Sequence, residues 1–180
     1  NRLFYIFELI LKEELGIDFK FTTEEEKFLS YQGAKLHYGN TPLNEEPGLF
    51  QQAVKLLFER DIYDQDLKIC DFNDTKAIYP VFNDKSLFPF DIFAASFYII
   101  SRYEEYLPHV SDQYNRFQPK DSILYKMEVI EKPIINIWAK ELGNEIKACY
   151  PEIQLKKKNF KFIPTYDIDA AWAYKNKGFF

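Results

Sequence analysis

Hydrophobic positions near the start of the chain recur every three to four places. Leu3, Phe4, Phe7, Ile10, Leu11 and Leu15 have the spacing of one helical face. Gly16 follows where helices commonly end in a left-handed residue, so the spacing predicts a helix over 3–15. The period then changes to two. Ile17, Phe19 and Phe21 alternate with Asp18, Lys20 and Thr22, which predicts a half-buried strand. Thr23 and Glu26 stand at capping-box spacing and predict a short helical turn. A second strand is predicted where Ala34, Leu36 and Tyr38 alternate with Lys35 and His37, pairing with 28–31 across Gln32-Gly33.

The proline-bearing, polar stretch 41–47 reads as a loop, and Leu49, Phe50, Ala53, Val54, Leu57 and Phe58 predict a second helix. Short strands are predicted over 67–72 and 77–82, the latter at a sheet edge or bulge because Pro80 cannot donate to a ladder. From 90 to 107 the chain is too widely apolar for an exposed helix. A central helix is expected there, capped by Asp91. Residues 108–121 have no period and form a loop. Pro133 suits the first turn of a last long helix whose apolar face carries Ile134, Ile137, Trp138, Leu142 and Ile146, ended by Pro151. Phe160 and Phe162 then alternate with Lys161 in a strand that runs to Asp167-Ile168-Asp169. These elements predict a mixed α/β (α+β) fold, a small sheet packed by about four helices and ending in that strand.

Composition narrows this picture in a few places. A chain of 180 residues suffices for one domain with a sizeable core. Eighteen Phe and 13 Tyr bring aromatics to 18%, which predicts an aromatic-rich core. A net charge of −5 argues against nucleic acid, whose binding rests on clustered Lys and Arg; Lys156, Lys157 and Lys158 read as a solvated loop. Two cysteines, Cys70 and Cys149, imply no disulfide framework and are expected as buried thiols in a reducing, cytoplasmic compartment. No run of about 20 apolar residues offers a membrane span.

Two clusters could carry chemistry. In a strand, Asp167 and Asp169 project to one face at a carboxyl end, where open α/β sheets and barrels bind ligands. Such a pair can divide labour between metal ligand and base, or one Asp can simply cap the next element. The second cluster is Arg102, Tyr103, Glu105, Asp112 and Arg116, with Tyr106 and Tyr114 nearby. It reads either as sugar-binding forks and rings or as ion pairs anchoring the 108–121 loop to the central helix. His37 is expected at the surface, His109 in the loop, Trp138 in the core and Trp172 beside the acidic pair.

The run Phe162-Ile163-Pro164-Thr165-Tyr166-Asp167-Ile168-Asp169 resembles the opening motif of the NodB-type polysaccharide deacetylases, the family-four carbohydrate esterases. Upstream, Leu87 to Ala95, Ser101 to Tyr106, Asp112 and Arg116-Phe117 resemble the region preceding that domain in Bacteroidetes-type deacetylase proteins. The resemblance implies an accessory domain over 1–158 and, over 159–180, the first strand of a (β/α) barrel. It also implies Asp167 as general base, Asp169 as ligand to zinc or a similar divalent metal, and a carbohydrate substrate. The histidines that complete the family's metal site would lie beyond Phe180, and the 180-residue chain alone is expected to be inactive. An apolar strand ending Asp-x-Asp is similar also to the opening of haloacid-dehalogenase-like phosphohydrolases, which would make Asp167 a nucleophile with magnesium. A glycan-binding or scaffolding module without catalysis is the third reading.

Overall fold

The structure, a computed structural model, describes residues 1–43 and 48–167. Its first helix, α1 (Arg2–Phe7), runs on into a π-helical stretch, Glu8–Glu14, and stops as expected at Gly16. There φ is +75° and the Gly16 and Ile17 amides close back on Lys12 and Leu11. Residues 17–22 form no strand. Phe19 and Phe21 instead pack beside Phe7, with no ladder partner alongside. The short helix α2 (Glu25–Ser30) is present, but it takes in Phe28 and so removes the hairpin expected with 34–38.

Strand β1 (Leu36–Gly39) pairs in parallel with β2 (Leu49–Gln52), and this overturns the helix expected over 49–58. Only Lys55–Phe58 is helical, as a single 3-10 turn. The buried Gln51 explains the change: its side chain accepts from the Phe88 amide at 3.2 Å and donates to the Phe90 carbonyl at 2.9 Å. A buried amide must find partners, and the extended backbone of β2 brings it to them.

A hairpin of β3 (Ile69–Phe72) and β4 (Thr75–Ile78) turns at Asn73, φ +49°, a conformation Asn tolerates. Pro80 then bridges Phe90 outside any regular ladder. Helix α3 (Ile92–Ile100) is shorter than the 90–107 expected, because Arg102 adopts left-handed angles, φ +51°, ψ +44°. The chain re-enters a 3-10 turn at Tyr103–Tyr106, and α4 (Ile123–Lys126) and α5 (Ile134–Cys149) come after it.

One core joins these elements. Phe7 stacks on Phe93 with centroids 4.0 Å apart, and Phe90 lies 5.1 Å from Trp138, which is fully buried as expected. Asp91 ties the layers together. One oxygen caps α3 by accepting from the Phe93 and Ala94 amides. The other accepts from the Tyr38 hydroxyl and the Val54 amide, both at 2.7 Å. Burial nevertheless outweighs these bonds and pushes the Asp91 carboxyl up to about 6, while burial beside that carboxyl raises Tyr38.

The thiols depart from expectation: Cys70 is half-buried and Cys149 exposed. His37 is half-buried rather than at the surface, its ring lying between Phe28 and Phe50. No described helix is long and apolar enough to cross a membrane.

Candidate functional site

After α3 the left-handed Arg102 swings the chain outward, and the Tyr103–Tyr106 turn faces the loop beyond it. That loop is ordered by its own polar groups. Asp112 accepts from the backbone amides of Tyr114 and Arg116 and from Arg116 Nε at 2.9 Å, with Arg116 Nη2 at 2.8 Å completing the fork. These bonds, led by those from Arg116, hold the Asp112 carboxyl below the usual range. Asn115 takes the left-handed corner, φ +58°, and Ser111 bridges Phe117 across the base.

Between turn and loop lies an open groove of about 670 Å³, lined by Arg102, Glu105, His109, Asn115, Arg116 and Phe117 among others. Arg102 and Glu105 form an ion pair on one wall. Asp112 and Arg116 form a second on the other, and Arg116 also lies 4.8 Å from the Tyr114 ring centre. His109 meets Phe117 edge-on at 5.1 Å. Its Nδ1 is 2.9 Å from the Leu107 carbonyl, so Nδ1 donates and, in the neutral ring, Nε2 is left as an acceptor.

Four residues of the expected cluster, Arg102, Glu105, Asp112 and Arg116, thus come together. Tyr103 does not. It is 3% exposed, its hydroxyl accepts from the Tyr63 amide and donates to the Tyr63 carbonyl, and the Arg2 guanidinium covers its ring. Neither ion pair reaches from loop to helix, so the anchoring expected of them is not made; Glu104 ties the turn instead to the start of α4. That carboxylate accepts from the Ile123 amide at 2.8 Å, and burial raises it above the ordinary glutamate range.

A family model described as a family of unknown function, DUF7033, matches residues 1–151. The chain belongs to DUF7033. No curated protein and no solved structure matches it. The DUF7033 match takes in the whole groove and ends at Pro151, just beyond α5.

The acidic motif lies past that limit. The segment leaves the domain where the Lys156 amide donates to the Leu15 carbonyl at 2.8 Å, and Lys156 to Lys158 form the exposed loop expected of them, Lys156 and Lys158 also reaching Glu13 and Glu14. Beyond them the strand expected around Phe160 is absent. Phe160 is 92% exposed and Phe162 and Tyr166 each 80%. Asp167 is exposed, and Asp169 and Trp172 lie outside the described residues. Among the described residues no three His, Cys, Asp or Glu side chains converge as metal ligands do.

Proposed function

We propose that residues 1–158 are the accessory domain of a metal-dependent carbohydrate deacetylase, with 159–169 contributing the opening strand of its catalytic barrel. The observation that carries this reading is the state of residues 159–167. Their aromatic side chains alternate as a strand's would, yet they stand in solvent while the described residues before them have closed a core without them. Large apolar side chains exposed in series mark a surface meant to be covered, and a parallel barrel supplies such cover on both sides of a strand.

The resemblance of 162–169 to the deacetylase motif supplies the chemistry. A metal, when bound, would polarise the acetyl carbonyl. Asp167 would take a proton from the attacking water, and Asp169 would help to hold the metal. The folded domain contributes position rather than reacting groups.

The test compares the 180-residue chain with a C-terminally extended form, each supplied with zinc, on acetylated chitooligosaccharides and on acetylxylan. Acetate release is expected from the extended form alone and is expected to vanish in its Asp167→Asn variant. Activity in the short chain, or none in the long one, defeats the reading.

A further inference from the structure

We infer that the groove between the Tyr103–Tyr106 turn and the 108–119 loop is a binding site for a neutral oligosaccharide. Its volume, about 670 Å³, lies within the roughly 300–1,000 Å³ of ordinary ligand sites. Charge decides against an ionic ligand. Each guanidinium on its walls already holds a carboxylate, Arg102 with Glu105 and Arg116 with Asp112, so an anion or a cation entering would meet as much repulsion as attraction.

The hydrogen-bonding capacity left over is mixed in sign. Asp112 is saturated by its own turn and acts as a brace. Arg102 and Arg116 each keep N–H donors beyond those given to their carboxylates, and Glu105 and His109 keep acceptors. The Asn115 amide offers both. A row of donors and acceptors with no net charge matches hydroxyl groups, each of which donates and accepts. The Phe117 ring, edged by His109 and flanked by Pro119, supplies an apolar face for the C–H side of a sugar ring.

The site is also organised before any ligand arrives. The left-handed corners at Arg102 and Asn115 and the four bonds to Asp112 set the backbone course of the two walls, so less backbone ordering is required on binding.

The proposed carbohydrate function enters only in the choice of which sugars to try. The isotope-labelled 180-residue chain is titrated with chito-, xylo-, gluco- and mannooligosaccharides, and separately with oligogalacturonate and inorganic phosphate, while amide and side-chain resonances are followed. Neutral oligosaccharide is expected to shift Asn115, Arg116 and Phe117, with an affinity unchanged between roughly 0.05 and 0.5 M salt, where screening lengths fall severalfold. Arg116→Ala is expected to weaken binding by about tenfold or more, as for a lost hydrogen bond to a charged group. Asn115→Gly removes the amide at a corner that glycine tolerates; it keeps the fold and is expected to weaken binding severalfold.

Three results overturn the inference: no shift with any neutral oligosaccharide, tighter binding of uronate or phosphate, or wild-type affinity retained in both variants. Deacetylase activity is scored separately on the extended chain. Sugar binding without activity therefore removes the enzyme reading and leaves the groove, and activity without sugar binding does the reverse.

Discussion

Replacing Asp91 removes the group that holds the layers of the domain together. In Asp91→Ala the N-terminus of α3 loses its cap, which costs about 1 kcal/mol. The Val54 amide and the Tyr38 hydroxyl lose the acceptor they share, at about 1–3 kcal/mol for each buried group left unpaired. The expected total is on the order of 3–7 kcal/mol, a large part of the roughly 5–15 kcal/mol that stabilises a domain. Asp91→Asn keeps the shape and one accepting oxygen, so its cost is expected to be smaller.

The pH dependence arises from the same carboxyl. Asp91 stands at about 6 in the folded chain against 3.8 ordinarily. A raised carboxyl means that the folded state binds the extra proton between those values. The stabilisation is therefore complete below about pH 4 and is lost as pH rises through 6, with a total near 3 kcal/mol. Urea unfolding of wild type and Asp91→Asn at pH 4.5 and 7.5, compared at equal m, isolates this group because asparagine does not titrate. The stability advantage of wild type over the variant is expected to shrink by about 2 kcal/mol from the lower pH to the higher. An advantage that grows with pH would mean that the four hydrogen bonds outweigh burial, and would refute the reasoning.

Two further substitutions probe the frame around the candidate sites. Gly16→Ala places a methyl group at φ +75°, 2.8 Å from Lys156 Cβ. It is expected to cost about 1–2 kcal/mol and to speed tryptic cleavage at 156–158; an unchanged Tm and digestion rate would show that the outgoing segment is not held there. Tyr103→Phe removes both hydrogen bonds to the Tyr63 backbone and is expected to lower stability by about 1–2 kcal/mol. Because Tyr103 lies outside the groove, sugar binding in this variant is expected to equal that of wild type, and a weakened affinity would contradict its place in the core.

The elements readable from the sequence were those whose local signals agree with their final surroundings. Helix 3–15 with its Gly16 stop, the Asp91 cap and the Trp138 face of α5 all combine periodicity with a terminus residue of matching chemistry. The misread segments carry a local pattern that distant partners override. Leu49 to Phe58 has helical spacing, but Gln51 finds its partners in the Phe88–Phe90 backbone only when the segment is extended. Residues 17–22 alternate as a strand does, yet their aromatic side chains are used against Phe7 and their backbone has no strand alongside.

The groove divides in the same way. Its charged residues were visible by type, because Arg and carboxylate at spacings of three and four form pairs in helix or turn alike. Its geometry was hidden in a single residue's torsions: Arg102 takes left-handed angles, and Tyr103 beyond it packs inward against Tyr63 and Arg2. Asn115 alone offered a signal for the second corner, since Asn enters the left-handed region more readily than most residues. The acidic motif differs in kind. Phe160, Phe162 and Tyr166 have strand-like alternation but stay exposed, with no described strand beside them: alternation alone supplies no ladder partner.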